Sequence, residues 1–149
     1  MKILVINQSS VRAPRKFIAD WCVRIQKEFL KRNVITKTVV ARELTVVFLD
    51  PKEARATNRQ FRGKDYATDV LSFERLSADS LGELILCPQV LQRQAAEHGL
   101  KYREELGYML LHGVLHLLGY DHETSARDAE RMFALQDAVF AKLLKSGRR

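Results

Sequence analysis

The sequence predicts an α+β fold, a single domain built on a mixed four-stranded sheet with about five helices and a metal site on a central buried helix. Three observations carry that prediction. Runs rich in β-branched residues are interspersed with stretches of 3.6-residue apolar period along the whole chain. Two of the strand-like runs have a Ser77-Ala78-Asp79-Ser80 link between them, which suggests a local hairpin within a mixed sheet. The most apolar stretch, Leu106 to Leu118, is too short to span a bilayer and carries two histidines, so it belongs in a core. With 149 residues and 46% hydrophobic content, one compact domain over 1–149 is expected and a disordered chain is excluded.

The first strand is expected at Ile3 to Asn7, followed by a Ser9-Ser10 turn. Pro14 suits the first turn of a helix in which Phe17, Ile18, Trp21, Cys22, Ile25, Phe29 and Leu30 recur at helical spacing. That period assigns the aromatic stripe to core packing, while Arg15, Lys16, Arg24, Lys27 and Lys31 on the other face are where a polyanion would be felt. Glu43 to Asp50 reads as a strand running into Pro51, which opens a helix continuing to about Phe61. A polar connection, Arg62 to Asp69, leads to strands at Val70–Glu74 and Gly82–Cys87. Pro88 opens a helix ending near Gly99, and the next begins near Tyr102. Ser125-Ala126-Arg127-Asp128 resembles a helix-start capping pattern, after which Met132, Phe133, Val139, Phe140, Leu143 and Leu144 mark a long amphipathic helix packing on the core. The tail from Lys145 to Arg149 is expected to fray.

The stretch His112-Gly113-Val114-Leu115-His116-Leu117-Leu118-Gly119-Tyr120-Asp121-His122 holds three of the four histidines. Successive helical residues turn by about 100°, so His112 and His116 share one face a turn apart and can meet one ion. Gly119 supplies a helix-ending conformation, and the short Tyr120-Asp121 link can return His122 to the same point. A lone histidine on an apolar face is usually a hydrogen-bonded core residue. Three together would leave several imidazole nitrogens to satisfy at once, at about 1–3 kcal/mol for each one unmet. One zinc ion on His112, His116 and His122, with a fourth position open to water, fits this pattern, and hydrolysis is the reaction class that follows. The spacing also matches that of metzincin zinc peptidases, whose general-base glutamate would occupy the position of Gly113, so a peptidase is disfavoured. A glycine in mid-helix asks for close approach or open space, and packing of the helix against the sheet explains it at least as well as a functional role.

The charge balance is basic, with 25 Lys and Arg against 18 Asp and Glu, net +7. Such a balance favours polyanions without naming one. Cys22 and Cys87 stand outside any C-x-x-C pattern and read as packed, reduced thiols. The opening apolar run is too brief for a signal-peptide core, which makes a cytoplasmic protein the expectation.

Phe61-Arg62-Gly63-Lys64-Asp65, Thr68-Asp69-Val70-Leu71-Ser72-Phe73, Leu81-Gly82-Glu83 and His112 through His122 resemble, in order, the signature segments of the bacterial YbeY family of rRNA maturation endoribonucleases. The resemblance covers about residues 45 to 125; the N-terminal third and terminal helix match in general character only. It implies a zinc-dependent, single-strand-specific endoribonuclease of rRNA processing, including 16S rRNA 3′-end maturation, and of ribosome quality control. Implied with it are His112, His116 and His122 as zinc ligands and Arg62 as a functional arginine of the cleft, with single-stranded RNA, precursor rRNA and the small ribosomal subunit as partners and no membrane. Two departures stand out: Glu74, where members often have proline, and Glu83, where they often have aspartate.

Arg62 alone reads as an exposed helix-end arginine, yet its guanidinium can grip a phosphate with two donors and stabilise charge developing in phosphodiester cleavage. Lys64 can add steering toward the backbone, and Ser72, with Thr68 and Asp69, can line the cleft or simply shape a turn and strand start. Asp121 is a candidate acceptor for a ligand imidazole or a turn residue, and Tyr120 is better placed to pack than to stack on a base. Attack by water and attack by the RNA 2′-hydroxyl, which leaves a 2′,3′-cyclic phosphate, are both open. Besides the peptidase, the remaining alternative is a non-catalytic ribosome-assembly factor with a structural metal.

Overall fold

A computed structural model describes residues 1–147. Its elements run β1 (Lys2–Asn7), α1 (Arg15–Lys31), α2 (Lys37–Val40), β2 (Glu43–Phe48), α3 (Pro51–Arg62), β3 (Val70–Phe73), β4 (Ser80–Leu86), α4 (Pro88–His98), α5 (Tyr102–Leu117) and α6 (Ala126–Gly147). The α+β expectation stands, with a sixth helix added: α2 is one turn long, too short for periodicity to reveal. The strand starting at Gly82 in the sequence reading begins two residues earlier, at Ser80, and the one extended to Asp50 ends at Phe48. Helical hydrogen bonding also continues through Gly147, where fraying was expected from Lys145, while Arg148 and Arg149 lie outside the described residues.

The four strands are ordered β1-β2-β4-β3. β1 and β2 pair in parallel from Lys2↔Glu43 to Asn7↔Phe48, and β2 pairs in parallel with β4. β3 returns antiparallel to β4, Val70 opposite Leu86 and Phe73 opposite Glu83, which is the expected hairpin. Side chains alternate across each strand. Leu44, Val46 and Phe48 of β2 therefore enter the main core, with Ile18, Trp21, Ile25 and Phe29 of α1, Leu106, Leu110, Leu111 and Leu115 of α5, and Met132, Val139 and Leu143 of α6. Val47 faces the other way, into a smaller cluster with Leu49, Ala54 of α3, Cys87 and Val90 of α4.

Helix α5 is the central element. The Trp21 indole N–H donates to the Gly107 carbonyl at 2.9 Å and ties it to α1. On its sheet side a Cβ at Gly113 would lie 2.6 Å from Leu84 Cδ2, so the glycine lets the helix backbone approach β4 closely. Of the two explanations for this glycine, sheet packing accounts for it. Both cysteines are buried and free, and burial pushes the Cys22 thiol up to about 12.

Candidate metal centre

The centre forms where α5 stops. His112 and His116 lie in its last turns, both half-buried, and the helix ends at Leu117. Gly119 then takes φ +100°, a conformation that side chains with a Cβ rarely adopt, and the chain folds back on itself. The Tyr120 N–H bonds to the Leu115 carbonyl at 3.0 Å and the Glu123 N–H to Asp121 Oδ1 at 2.7 Å. Held at both ends, the turn returns His122 to the other two rings, with centroid separations of 5.2 Å to His112 and 5.0 Å to His116. Ligand atoms of all three imidazoles lie within 4.8 Å of one another.

The donor set fits a cation. His112 Nδ1 faces Gln136 Oε1 of α6 at 2.9 Å. A carbonyl oxygen only accepts, so Nδ1 carries the proton and Nε2 presents its lone pair toward His116 Nε2, 3.1 Å away. Burial holds both His112 and His116 below the ordinary imidazole value, which keeps the rings neutral and their lone pairs available. Two converging nitrogen lone pairs with a third ring beside them are suited to a borderline-soft divalent ion.

A cleft of about 990 Å³ opens on these rings, between the end of α3, the loop to β3, β3 itself and α5. Arg62 is the last residue of α3, where Gly63 at φ +69° caps the helix, and its Nη2 reaches across the cleft to Glu123 Oε1 at 3.4 Å. Lys64 and Ser72 line the same cleft, both exposed. Asp121 lies in the loop as the acceptor of the Glu123 turn, while the acceptor facing the His112 ring is Gln136. Thr68 Oγ1 donates to Asp69 Oδ1, which also accepts the Val70 N–H at the start of β3. Tyr120 packs against the core with the Arg131 guanidinium 5.7 Å from its ring centre.

Several contributors escaped the sequence reading. Gln136 is fully buried on a helix whose amphipathic pattern gives no hint of the contact, and its Nε2 has no hydrogen-bond partner among the described residues. Phe133, expected in the core, is instead 38% exposed beside the histidines, with ring centres 5.4 Å from His122 and 6.2 Å from His112. The loop carrying Lys64 is stapled to α3 twice. Arg55 grips Asp65 through two hydrogen bonds of 2.8 and 2.9 Å, and the buried Asn58 donates to the Tyr66 carbonyl at 2.8 Å. The sequence of α3 is largely polar, so nothing in its pattern marks Asn58 as a buried residue.

Comparison with known proteins gives one answer. The family model described as endoribonuclease YbeY matches residues 4–144, well beyond the 45–125 over which the motifs are legible. A relative from Bdellovibrio bacteriovorus named endoribonuclease YbeY is 58% identical over 97% of each chain, and one of the same name from Petrotoga mobilis is 40% identical over the full length of both. A solution structure of a Thermotoga maritima protein superposes with a TM-score of 0.67 at 27% identity, covering 98% of this chain and 91% of that one.

Proposed function

The chain belongs to the YbeY endoribonuclease family, and from that premise we propose that it is a zinc-dependent, single-strand-specific endoribonuclease of rRNA processing, its metal held by His112, His116 and His122. In this reading residues 1–149 work as one cytoplasmic metallohydrolase domain acting on precursor rRNA, including the 3′ end of the small-subunit RNA, and on ribosomes under quality control. No helix among the described residues is long and apolar enough to cross a membrane. The observation that carries the reading is the convergence of three imidazoles within 4.8 Å at the floor of a cleft that Arg62 spans.

When bound, zinc supplies Lewis-acid polarisation of a phosphoryl oxygen and lowers the pKa of water. The protein's own groups do the rest. Arg62, at the mouth, exchanges its long contact with Glu123 for the scissile phosphate, which it grips with two parallel donors and orients against the floor of the cleft. Its fixed charge then meets the negative charge that grows on the phosphoryl oxygens. Lys64, on the stapled loop, draws the adjoining backbone inward, and Ser72 on β3 offers a hydroxyl to it. Gln136 holds the His112 ring in one tautomer. A cleft open to solvent on one side admits an unpaired strand.

Cleavage of single-stranded and precursor small-subunit RNA by metal-replete and metal-stripped protein tests the reading, with His112→Ala, His116→Ala and Arg62→Ala alongside. Cleavage is expected to need the metal, the histidine variants to lose both metal and activity, and Arg62→Ala to keep its metal while losing about 100-fold or more in rate. Full metal content and full cleavage in His116→Ala would refute the ligand assignment. End-group analysis of the products separates attack by water from attack by the 2′-hydroxyl. Metal-dependent cleavage of unstructured peptides in place of RNA would indicate a peptidase. Normal ribosome binding with no cleavage by the intact protein would indicate an assembly factor.

A further inference from the structure

The basic face of α1 takes part in a second concavity, of about 980 Å³, formed by the loop after β1, the start of α1 and the start of α5. Five cations line it, Arg12, Arg15, Lys16, Arg24 and Arg103, against a single acid, Asp20, which Lys16 engages at 3.1 Å. Arg15 is held by the Val5 carbonyl at 2.8 Å, and Arg24 by the Leu143 carbonyl and the Trp21 ring. Arg12, Lys16 and Arg103 are exposed, with Arg103 lying over the Phe17 ring at 5.8 Å. The first turn of α1 carries no acidic residue, so the positive end of the helix dipole adds to the field.

This groove is separate from the metal cleft. Arg103 and His112 are nine residues apart on α5, which places them half a turn round the helix and about 13 Å along it. We propose that the groove is a second RNA site, which takes the phosphodiester backbone of single-stranded RNA at a distance from the bond being cut. The inference rests on the endoribonuclease reading for the identity of its polyanion. Guanidinium and ammonium groups are the donors that phosphates recruit, and the aromatic rings here are engaged by the protein: Phe17 lies under Arg103, Trp21 is 3% exposed, and Tyr102 is half-buried against the core. With none of these rings fully exposed for a base to stack on, the groove binds backbone without reading sequence. A strand engaged at both places is retained by the higher effective concentration that tethering provides, whereas a short strand reaches one site at a time.

The test compares the wild-type protein with an Arg12→Gln/Lys16→Gln/Arg103→Gln variant on single-stranded RNAs of about 4 and about 30 nucleotides, since stacked bases advance about 3.4 Å each. For the long RNA, KM is expected to rise about tenfold with kcat unchanged, and the slope of log Kd against log salt, read by anisotropy, to fall by about 2, at roughly 0.7 per lost phosphate contact. Cleavage of the short RNA should not change. Asp20→Asn, which removes the only acid lining the groove among the described residues, should move the long-RNA KM the other way, down about twofold. An unchanged KM and salt slope for the long RNA, or an equal loss on both lengths, would overturn the proposal, as would loss of poly-glutamate binding with RNA binding intact. If the wild-type protein cut neither RNA, the endoribonuclease reading would fail, while long-RNA binding by the two variants would still decide the groove.

Discussion

Gln136 shows how much of a candidate metal centre lies behind the histidines that could hold the ion. It is fully buried, contributes one acceptor to His112 Nδ1 at 2.9 Å, and thereby settles which nitrogen is free. Groups that orient a ligand in this way typically account for 10–100-fold in metal affinity. Gln136→Leu, close in volume but without the acceptor, is accordingly expected to weaken zinc binding by about that factor in a competition titration with a chromophoric chelator. Gln136→Glu restores an acceptor and should recover most of it. A Gln136→Leu protein that held zinc as tightly as wild type would show the contact to be packing alone. Asn58 plays the comparable part for the loop, since its amide fixes the Tyr66 carbonyl and with it the segment that carries Lys64.

At the scale of elements, the position of the histidines depends on how closely α5 lies on β4. Gly113 has the Leu84 methyls at 2.6 and 2.9 Å from where a Cβ would sit, and Leu84 is itself fully buried. Alanine there gains about 1 kcal/mol of helix propensity but overpacks a filled contact, which costs about 1–3 kcal/mol. Gly113→Ala should therefore be destabilised by about 1 kcal/mol in urea unfolding, with a loss of activity from displaced histidines. Leu84→Ala should cost less in the Gly113→Ala background than alone, because the new methyl fills part of the space vacated; additive costs would rule out the steric account. The same reasoning explains why a glutamate general base has no place after His112. The residue at that position faces the sheet, away from the cleft.

Across the whole molecule, α4 and α5 are linked by a charge pair whose partners differ sharply in exposure. His98 Nδ1 and Glu105 Oε2 are 2.9 Å apart, the histidine 57% exposed and the glutamate 1%. The Glu105 hydrogen bond and charge raise the His98 pKa above its ordinary 6.5 against opposing desolvation, with Glu97 and Asp69 adding lesser contributions to the rise. A base raised on folding stabilises the fold fully below its unfolded value and loses that contribution as pH climbs through the folded one. The urea midpoint of wild type should thus exceed that of His98→Gln most at about pH 5.5, and the gap should close by about pH 9. A gap that widened with pH would place the pair's effect elsewhere. The charge distribution also belongs to this scale. The net +7 is concentrated in places, with five cations around one groove far from the histidines.

The sequence by itself determined the strands and long helices, the hairpin, the helix-ending role of Gly119 and the meeting of His112 with His116, because all of these follow from local periodicity and backbone preference. It placed Arg62 at a helix end, and the family motifs placed that end beside the histidines. Only the tertiary structure decided what partners those residues have. A four-residue helix such as α2 holds barely one 3.6-residue period, too little for a repeat to announce it. The Gln136 contact joins residues 24 apart on different helices, and an amphipathic pattern does not tell a buried glutamine from one facing solvent. Whether Gly113 stood for open space or close packing depended on what lay opposite, and Leu84, nearly thirty residues earlier in the chain, supplied the answer. The basic groove is divided in the same way: the helical period puts Arg15, Lys16 and Arg24 on the outer face of α1, whereas Arg12 and Arg103 join them only because the fold brings the loop after β1 and the first turn of α5 alongside.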